Sequence, residues 1–419
     1  MKALNDWLAA PAPDRFPYAA VVAAYREGGK HFVPAALLDL LDRARRASAA
    51  GNGPDGDGGD GDDAAREVLA RFLDTALDKY DGRYDYPTYT ALSLLAPPSG
   101  AGPEETRRHR DRLVVHLLGD LARFERAALD GETALLPLLR PSPLLVGKRH
   151  RLALRVAAPA LARLDLPGPV PGEDPERAAR RLWETADASM TGRERQVLEL
   201  SMLPVHVTHD EYLFLRVLQA FEATFTVLAA ELRAAIEALD AGRGASAAER
   251  LRRAAAALTE SAPLFSLLAT MQAEAFRVFR EFTEGASAIQ SRSYKLVESL
   301  CRTPDAERLH SHAYRSVPEV RERVLAGQRT LDDAYADALA GPRAGRGRVL
   351  PATAAMEEFA SALRRWRQTH YRLAVRMLGS RTGTGYTEGT PYLGEVRKIP
   401  VFDSVRHGAQ EPEEATSAA

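Results

Sequence analysis

Residues 209–239 read HDEYLFLRVLQAFEATFTVLAAELRAAIEAL. Leu213, Phe214, Val217, Leu218, Phe221, Phe225, Leu228, Leu232 and Ile236 recur there at steps of three and four. That is the period of an α-helix, not the alternation of a strand, and it predicts one long helix with a buried face. Thr208 and Glu211 are spaced to close a capping box at its start. Alanine, leucine and arginine dominate the rest of the chain, and most long segments repeat the same spacing. The sequence therefore predicts an all-α protein, a helical bundle.

At 419 residues the chain is long enough for a large core. Its 56 Lys and Arg nearly cancel its 57 Asp and Glu, so no global field selects nucleic acid or an anionic membrane. Cys301 is the single cysteine, which excludes an internal disulfide framework and a cysteine-rich zinc site. The start, MKALNDWLAAPAPDRFPYAA, places prolines where a signal peptide needs a continuous apolar core. No unbroken run of about eighteen apolar residues occurs, so no membrane span is expected. These features predict a cytoplasmic protein with no nucleic-acid or membrane partner.

Composition shifts divide the chain into an N-terminal helical region at 1–95, a helical insertion of unassigned role at 96–205, a helical core at 206–406 and a disordered tail at 407–419. The acidic glycine run at 51–63, GNGPDGDGGDGDD, carries no hydrophobic residue and reads as a disordered loop between helices at 18–48 and 64–80. Within the insertion, helices are expected near 104–129 and 174–187, and His109, His116 and His150 read as surface positions. A further helical segment covers 264–282, and Gly285 and Ser287 break it. No Gly-x-Ser-x-Gly elbow, phosphate loop or paired-histidine metal motif occurs.

The stretch 365–393, RWRQTHYRLAVRMLGSRTGTGYTEGTPYL, places His370 on an amphipathic helix followed by a Gly-Thr loop. A helical histidine can ligate a metal or haem iron, or can simply sit in a core. A Gly-Thr loop can wrap a small polar ligand or merely connect two elements.

Three segments taken in order resemble the tryptophan 2,3-dioxygenase superfamily of histidine-ligated haem enzymes. They are HDEYLFLRVLQ at 209–219, FRVFREFTEGASAIQSRSYKLVE at 276–298, and the 365–393 stretch. YDYPTYTALSLL at 84–95 is a weaker fourth match. The resemblance implies a haem-binding helical core, with haem b as cofactor and O2 as co-substrate. It makes His370 the proximal iron ligand, with Phe265 and Ser287 beside the haem. It gives Arg280 the role of clamping the amino-acid carboxylate, for which a guanidinium fork is well suited. Thr384 takes the substrate ammonium, while Phe214 and Phe276 line the aromatic pocket. Tyr86 and Tyr89 belong to a segment that closes a neighbouring subunit's pocket, which implies a homo-oligomer, a dimer or tetramer.

Four departures bear on the reaction. Leu218 stands where the family carries its distal histidine, Phe276 replaces a pocket tyrosine, and Tyr386 replaces the second glycine of the Gly-Thr-Gly-Gly turn. About a hundred residues also separate the N-terminal match from the first motif, where the family has a short connection. Leu218 and Tyr386 are therefore the positions expected to decide the chemistry. The expected function is oxygen insertion from O2 into the indole ring of L-tryptophan or a derivative. A haem monooxygenase or hydroxylase tailoring an aromatic amino acid is one alternative, and a non-catalytic haem-binding or helical scaffold is another.

Overall fold

The computed structural model describes residues 1–50, 60–168, 170, 172–340, 346–378 and 390–405. Among the described residues there are 19 α-helices and no strand; the all-α expectation holds. The stretch that opened the reading forms the helix Asp210–Asp240. Its apolar stripe packs on Gly244–Leu268, Pro103–Leu129, Arg292–Cys301 and Leu331–Ala340, and Gly244–Leu268 packs in turn on Arg346–Leu378. By length and composition Asp210–Asp240 could cross a membrane, but 72% of its most apolar window is buried inside the protein. It is the core helix, and each large apolar side chain it buries contributes about 1.5–3 kcal/mol.

The N-terminus of this helix departs from the expected capping box. His209, not Thr208, is the cap residue, and its side chain makes no cap hydrogen bond. Thr208 instead forms an isolated bridge with Leu138. The Glu211 carboxylate turns back to accept hydrogen bonds from the backbone N–H groups of Val205 (2.7 Å) and His206 (3.0 Å). A second correction concerns 264–282. Gly244–Leu268 ends there, and the short helix Ala273–Arg280 leaves it at 94°.

Segment 96–205 forms the helices Pro103–Leu129, Pro143–Arg163, Pro175–Ser189 and Gly192–Leu200. Leu117, Leu121, Val156 and Leu182 join the same apolar core as Leu213 and Leu228, so this segment is woven into the bundle. His116 and His150, expected at the surface, are both buried, because their helices lie inside it. A second cluster gathers Leu4, Trp7, Tyr25, Leu41, Leu69 and Phe72, and seats on Leu200 and Leu203. Gly29 makes that seating possible. At φ +91° its backbone lies so close to Val205 that a Cβ would meet the Val205 carbonyl oxygen at 2.6 Å. The neighbouring Lys30 N–H donates to the Pro204 carbonyl at 2.7 Å.

The helix Asp60–Ala76 begins inside the expected 51–63 loop; residues 51–59, the predicted tail, Thr384 and Tyr386 lie outside the described residues.

Candidate functional site

One face of the Asp210–Asp240 helix borders a cavity. Phe214, Leu218, Phe221, Glu222 and Phe225 all line it. These positions follow the 3.6-residue repeat, so a single face builds an entire wall. The cavity has a volume of about 250 Å³ and is partly open to solvent.

At one end Phe214 meets Phe276 (5.8 Å between ring centroids), Phe279 (5.3 Å) and Tyr89 (6.5 Å). Arg280 lines the cavity from the same short helix as Phe276 and Phe279. Seven residues further along the central helix, roughly 10 Å by helix rise, Phe221 packs on Phe265 (4.8 Å) and Trp366 (5.7 Å). Both of those rings flank His370, at 6.1 Å and 5.3 Å.

His370 faces the cavity from the helix Arg346–Leu378. Desolvation pushes its imidazole down to about 4, because an imidazolium in this apolar setting would lose its hydration. The ring is neutral near pH 7 and keeps a lone pair for a Lewis acid.

The predicted residues Phe214, Leu218, Phe265, Phe276, Arg280, Ser287, His370 and Tyr86 thus share one cavity. Tyr86 and Tyr89 line the cavity of their own chain. The physical reason is the seating of the N-terminal cluster on Leu200 and Leu203. The Gln290 side-chain oxygen then fixes the position, accepting from both the Tyr86 N–H (2.9 Å) and the Ser287 N–H (3.1 Å). A Cβ on Gly285 would meet the Tyr84 carbonyl oxygen at 2.9 Å, so this turn and the tyrosine segment lie backbone to backbone.

Sequence reasoning missed Glu222, Trp366, Lys295 and Arg367, which also line the cavity. For Glu222 the signal was present: it lies four residues beyond Leu218 and so shares its face. Trp366 likewise stands one turn before His370. Lys295 and Arg367 belong to a buried charge cluster with Glu298 and Arg308. Arg308 donates to both Glu298 oxygens (2.8 and 3.0 Å), and Lys295 lies 3.8 Å away. Arg367 donates to the Tyr294 hydroxyl (2.9 Å) and the Ile399 carbonyl (2.6 Å). These cations overcome the burial of Glu298 and hold its carboxyl at about 2, while desolvation lowers Lys295 to about 8.

Three cations thus surround one carboxylate beside the cavity, an excess of positive charge suited to acidic groups on a bound molecule. No group of three His, Cys, Asp or Glu is placed to hold a bare metal ion among the described residues. A lone neutral imidazole in an aromatic cavity, with a buried cationic cluster beside it, fits a haem better. The porphyrin would supply the remaining nitrogen donors, and Lys295 and Arg367 would face its propionates.

Comparison with known proteins agrees with this arrangement. The tryptophan 2,3-dioxygenase family model matches residues 196–330. The chain is 25% identical over 296 residues to the tryptophan 2,3-dioxygenase of Burkholderia orbicola (strain MC0-3), covering 60% of this chain and 93% of that protein. It is 29% identical over 231 residues to the tryptophan 2,3-dioxygenase of Ruegeria sp. (strain TM1040), covering 46% and 81%. The matched residues 196–330 include the helices Asp210–Asp240, Gly244–Leu268 and Ala273–Arg280 of the cavity wall, and this similarity at low identity supports a divergent member of the tryptophan 2,3-dioxygenase superfamily.

Proposed function

We propose that this protein is a cytoplasmic, haem-dependent oxygenase that inserts oxygen from O2 into the ring of tryptophan or a tryptophan-like amino acid. The observation that carries this reading is the joint exposure of His370 and Arg280 to one aromatic cavity. A nitrogen donor for iron and a cation for a carboxylate are the two groups the reaction class needs from the protein. Haem, when bound, supplies the iron centre that activates O2.

The chain's own residues do the rest. His370 would hold the iron through its neutral nitrogen, where the apolar rings of Phe265 and Trp366 exclude water. Arg280 anchors the substrate carboxylate through charge-assisted hydrogen bonds, worth about 1.5–3 kcal/mol each. Thr384 orients the ammonium, as the family resemblance implies. Phe214 and Phe276 hold the aromatic ring by stacking and edge contacts. Leu218 itself offers no proton acceptor at the position where the family carries a histidine.

Insertion of both oxygen atoms across the C2–C3 bond gives an N-formylkynurenine-type product. A second reading, insertion of one atom to give a hydroxylated or oxindole product, is favoured by Leu218 standing on the wall the family equips with a histidine. Haem-loaded protein, a reductant and a panel of tryptophan derivatives under labelled oxygen separate the readings by product mass. Two labelled atoms support dioxygenation and one supports the hydroxylase. No labelled product from any indole amino acid, with the Soret band intact, overturns both in favour of a non-catalytic haem protein.

A further inference from the structure

Glu222 is the one acid among the described residues that line the cavity. It is 3% exposed, and neither carboxyl oxygen has a hydrogen-bond partner of acceptable geometry among the described residues. The groups around it are the hydroxyls of Tyr86, Ser291 and Ser293. None of these is a cation. The Ser291 hydroxyl oxygen caps the next helix by accepting from the Tyr294 N–H (3.1 Å), and Ser293 pairs with Thr226 (3.3 Å). Lys295, the nearest buried ammonium in the lining, belongs with Glu298. Burial without a counter-ion pushes the Glu222 carboxyl up to about 7.

A buried acid with open acceptor sites on a cavity wall is costly unless something in the cavity satisfies it. Glu222 also lies one helical turn beyond Leu218 on the same face, so the wall lacks an acceptor at Leu218 but carries one about 6 Å further along. Phe214, on the side of Arg280, is one turn from Leu218 in the other direction and two turns from Glu222. An amino acid clamped at Arg280 therefore extends its ring toward Leu218 and Glu222.

We propose that Glu222 determines specificity in this cavity by accepting a hydrogen bond from a donor on the aromatic ring of the bound amino acid, an indole N–H or a ring hydroxyl. This rests on the amino-acid reading above and adds to it the chemistry of the ring. Tyr86, from the N-terminal segment, covers the carboxyl and keeps water from competing for it.

The test is equilibrium binding, by calorimetry on anaerobic haem-loaded protein, of two matched ligand pairs. Tryptophan against its benzothiophene isostere reads the ring N–H, and tyrosine against phenylalanine reads the ring O–H. The wild-type protein should prefer the donor-bearing member of at least one pair by roughly tenfold or more. Glu222→Leu should bring that ratio to within about twofold of unity while still binding the donor-free member. Should Glu222→Leu fail to fold, Glu222→Gln keeps the side-chain volume and should lower the ratio several-fold. Equal binding of both members of both pairs by the wild type overturns the proposal, as does an unchanged ratio in the variants. Each of those results leaves the amino-acid reading standing. Binding of none of the four ligands overturns that reading and this inference together.

Discussion

His370 is the residue on which the proposed chemistry turns. Its ring is neutral because the surrounding aromatics deny the charged form its hydration, pushing it down to about 4. That same desolvation leaves a nitrogen lone pair directed at an apolar space. His370→Ala removes the donor while leaving alanine, the best helix former, in the Arg346–Leu378 helix. We expect the Soret band of haem-reconstituted protein to collapse while the far-ultraviolet helical signal stays unchanged. An unaltered Soret band would show that iron is held elsewhere. His370, Phe214, Leu218 and Arg280 were legible in the sequence because helical spacing and the family resemblance coincide at each. Glu222 and Trp366 carried the helical spacing alone, without the resemblance. A glutamate on a helix ordinarily reads as solvated surface, and only the packing around it reveals that this one is buried against a cavity. The Gly-Thr loop, with Thr384 and Tyr386, adds nothing here because it lies outside the described residues.

At the scale of the element, the HDE triplet that opens the central helix is architectural. Asp210 and Glu125 sandwich Arg149, which donates to them at 2.7 and 2.6 Å and to the Thr270 hydroxyl and carbonyl at 3.1 and 3.2 Å. His209 lies 3.2 Å from the other Glu125 oxygen. This network ties the 96–205 segment to the bundle, which sequence spacing could not show because its partners lie 24 to 121 positions apart. Arg149→Met strands two buried carboxylates and should cost about 3–5 kcal/mol, read from denaturant unfolding; a loss below about 1 kcal/mol would count against the network. His116, also in this segment, donates from Nε2 to the Ser189 hydroxyl oxygen (3.1 Å), since that hydroxyl is itself spent on the Ala186 carbonyl (2.8 Å). Burial pushes its ring down to about 4. Below pH 6.5 the unfolded chain takes up a proton that the fold refuses. Stability is therefore full above pH 6.5 and declines as pH falls toward 4, by about 3 kcal/mol in all for this group. His116→Asn should flatten that decline between pH 7 and 5 relative to wild type; an equal slope would assign the acid sensitivity to other groups.

At the scale of the whole molecule, the N-terminal segment covers the cavity of its own chain. The N-terminal cluster seats on Leu200 and Leu203, Gly29 permits the close approach to Val205, and Gln290 joins the Tyr86 backbone to the Ser287 turn. Those contacts bring Tyr86 and Tyr89 into the cavity that His370 of the same chain faces. The roughly hundred residues that follow are what make this geometry reachable. They pack into the common core and return the chain to the start of the central helix beside the tyrosine segment. A pocket completed within one chain behaves differently from one completed by a neighbour when defective chains are mixed. Tyr86→Ala leaves a chain with its iron ligand but an open cavity, and His370→Ala leaves one with its tyrosine but no iron ligand. If neighbours closed each other's pockets, unfolding and refolding the two together would join the intact His370 site of one chain to the intact Tyr86 of the other. Substrate binding would then recover in the mixture. Closure within the chain predicts no recovery: binding to the mixture should equal the average of the two variants, at any protein concentration and whatever the assembly state. Recovery of about a quarter or more of wild-type binding would instead place the lid on a second subunit.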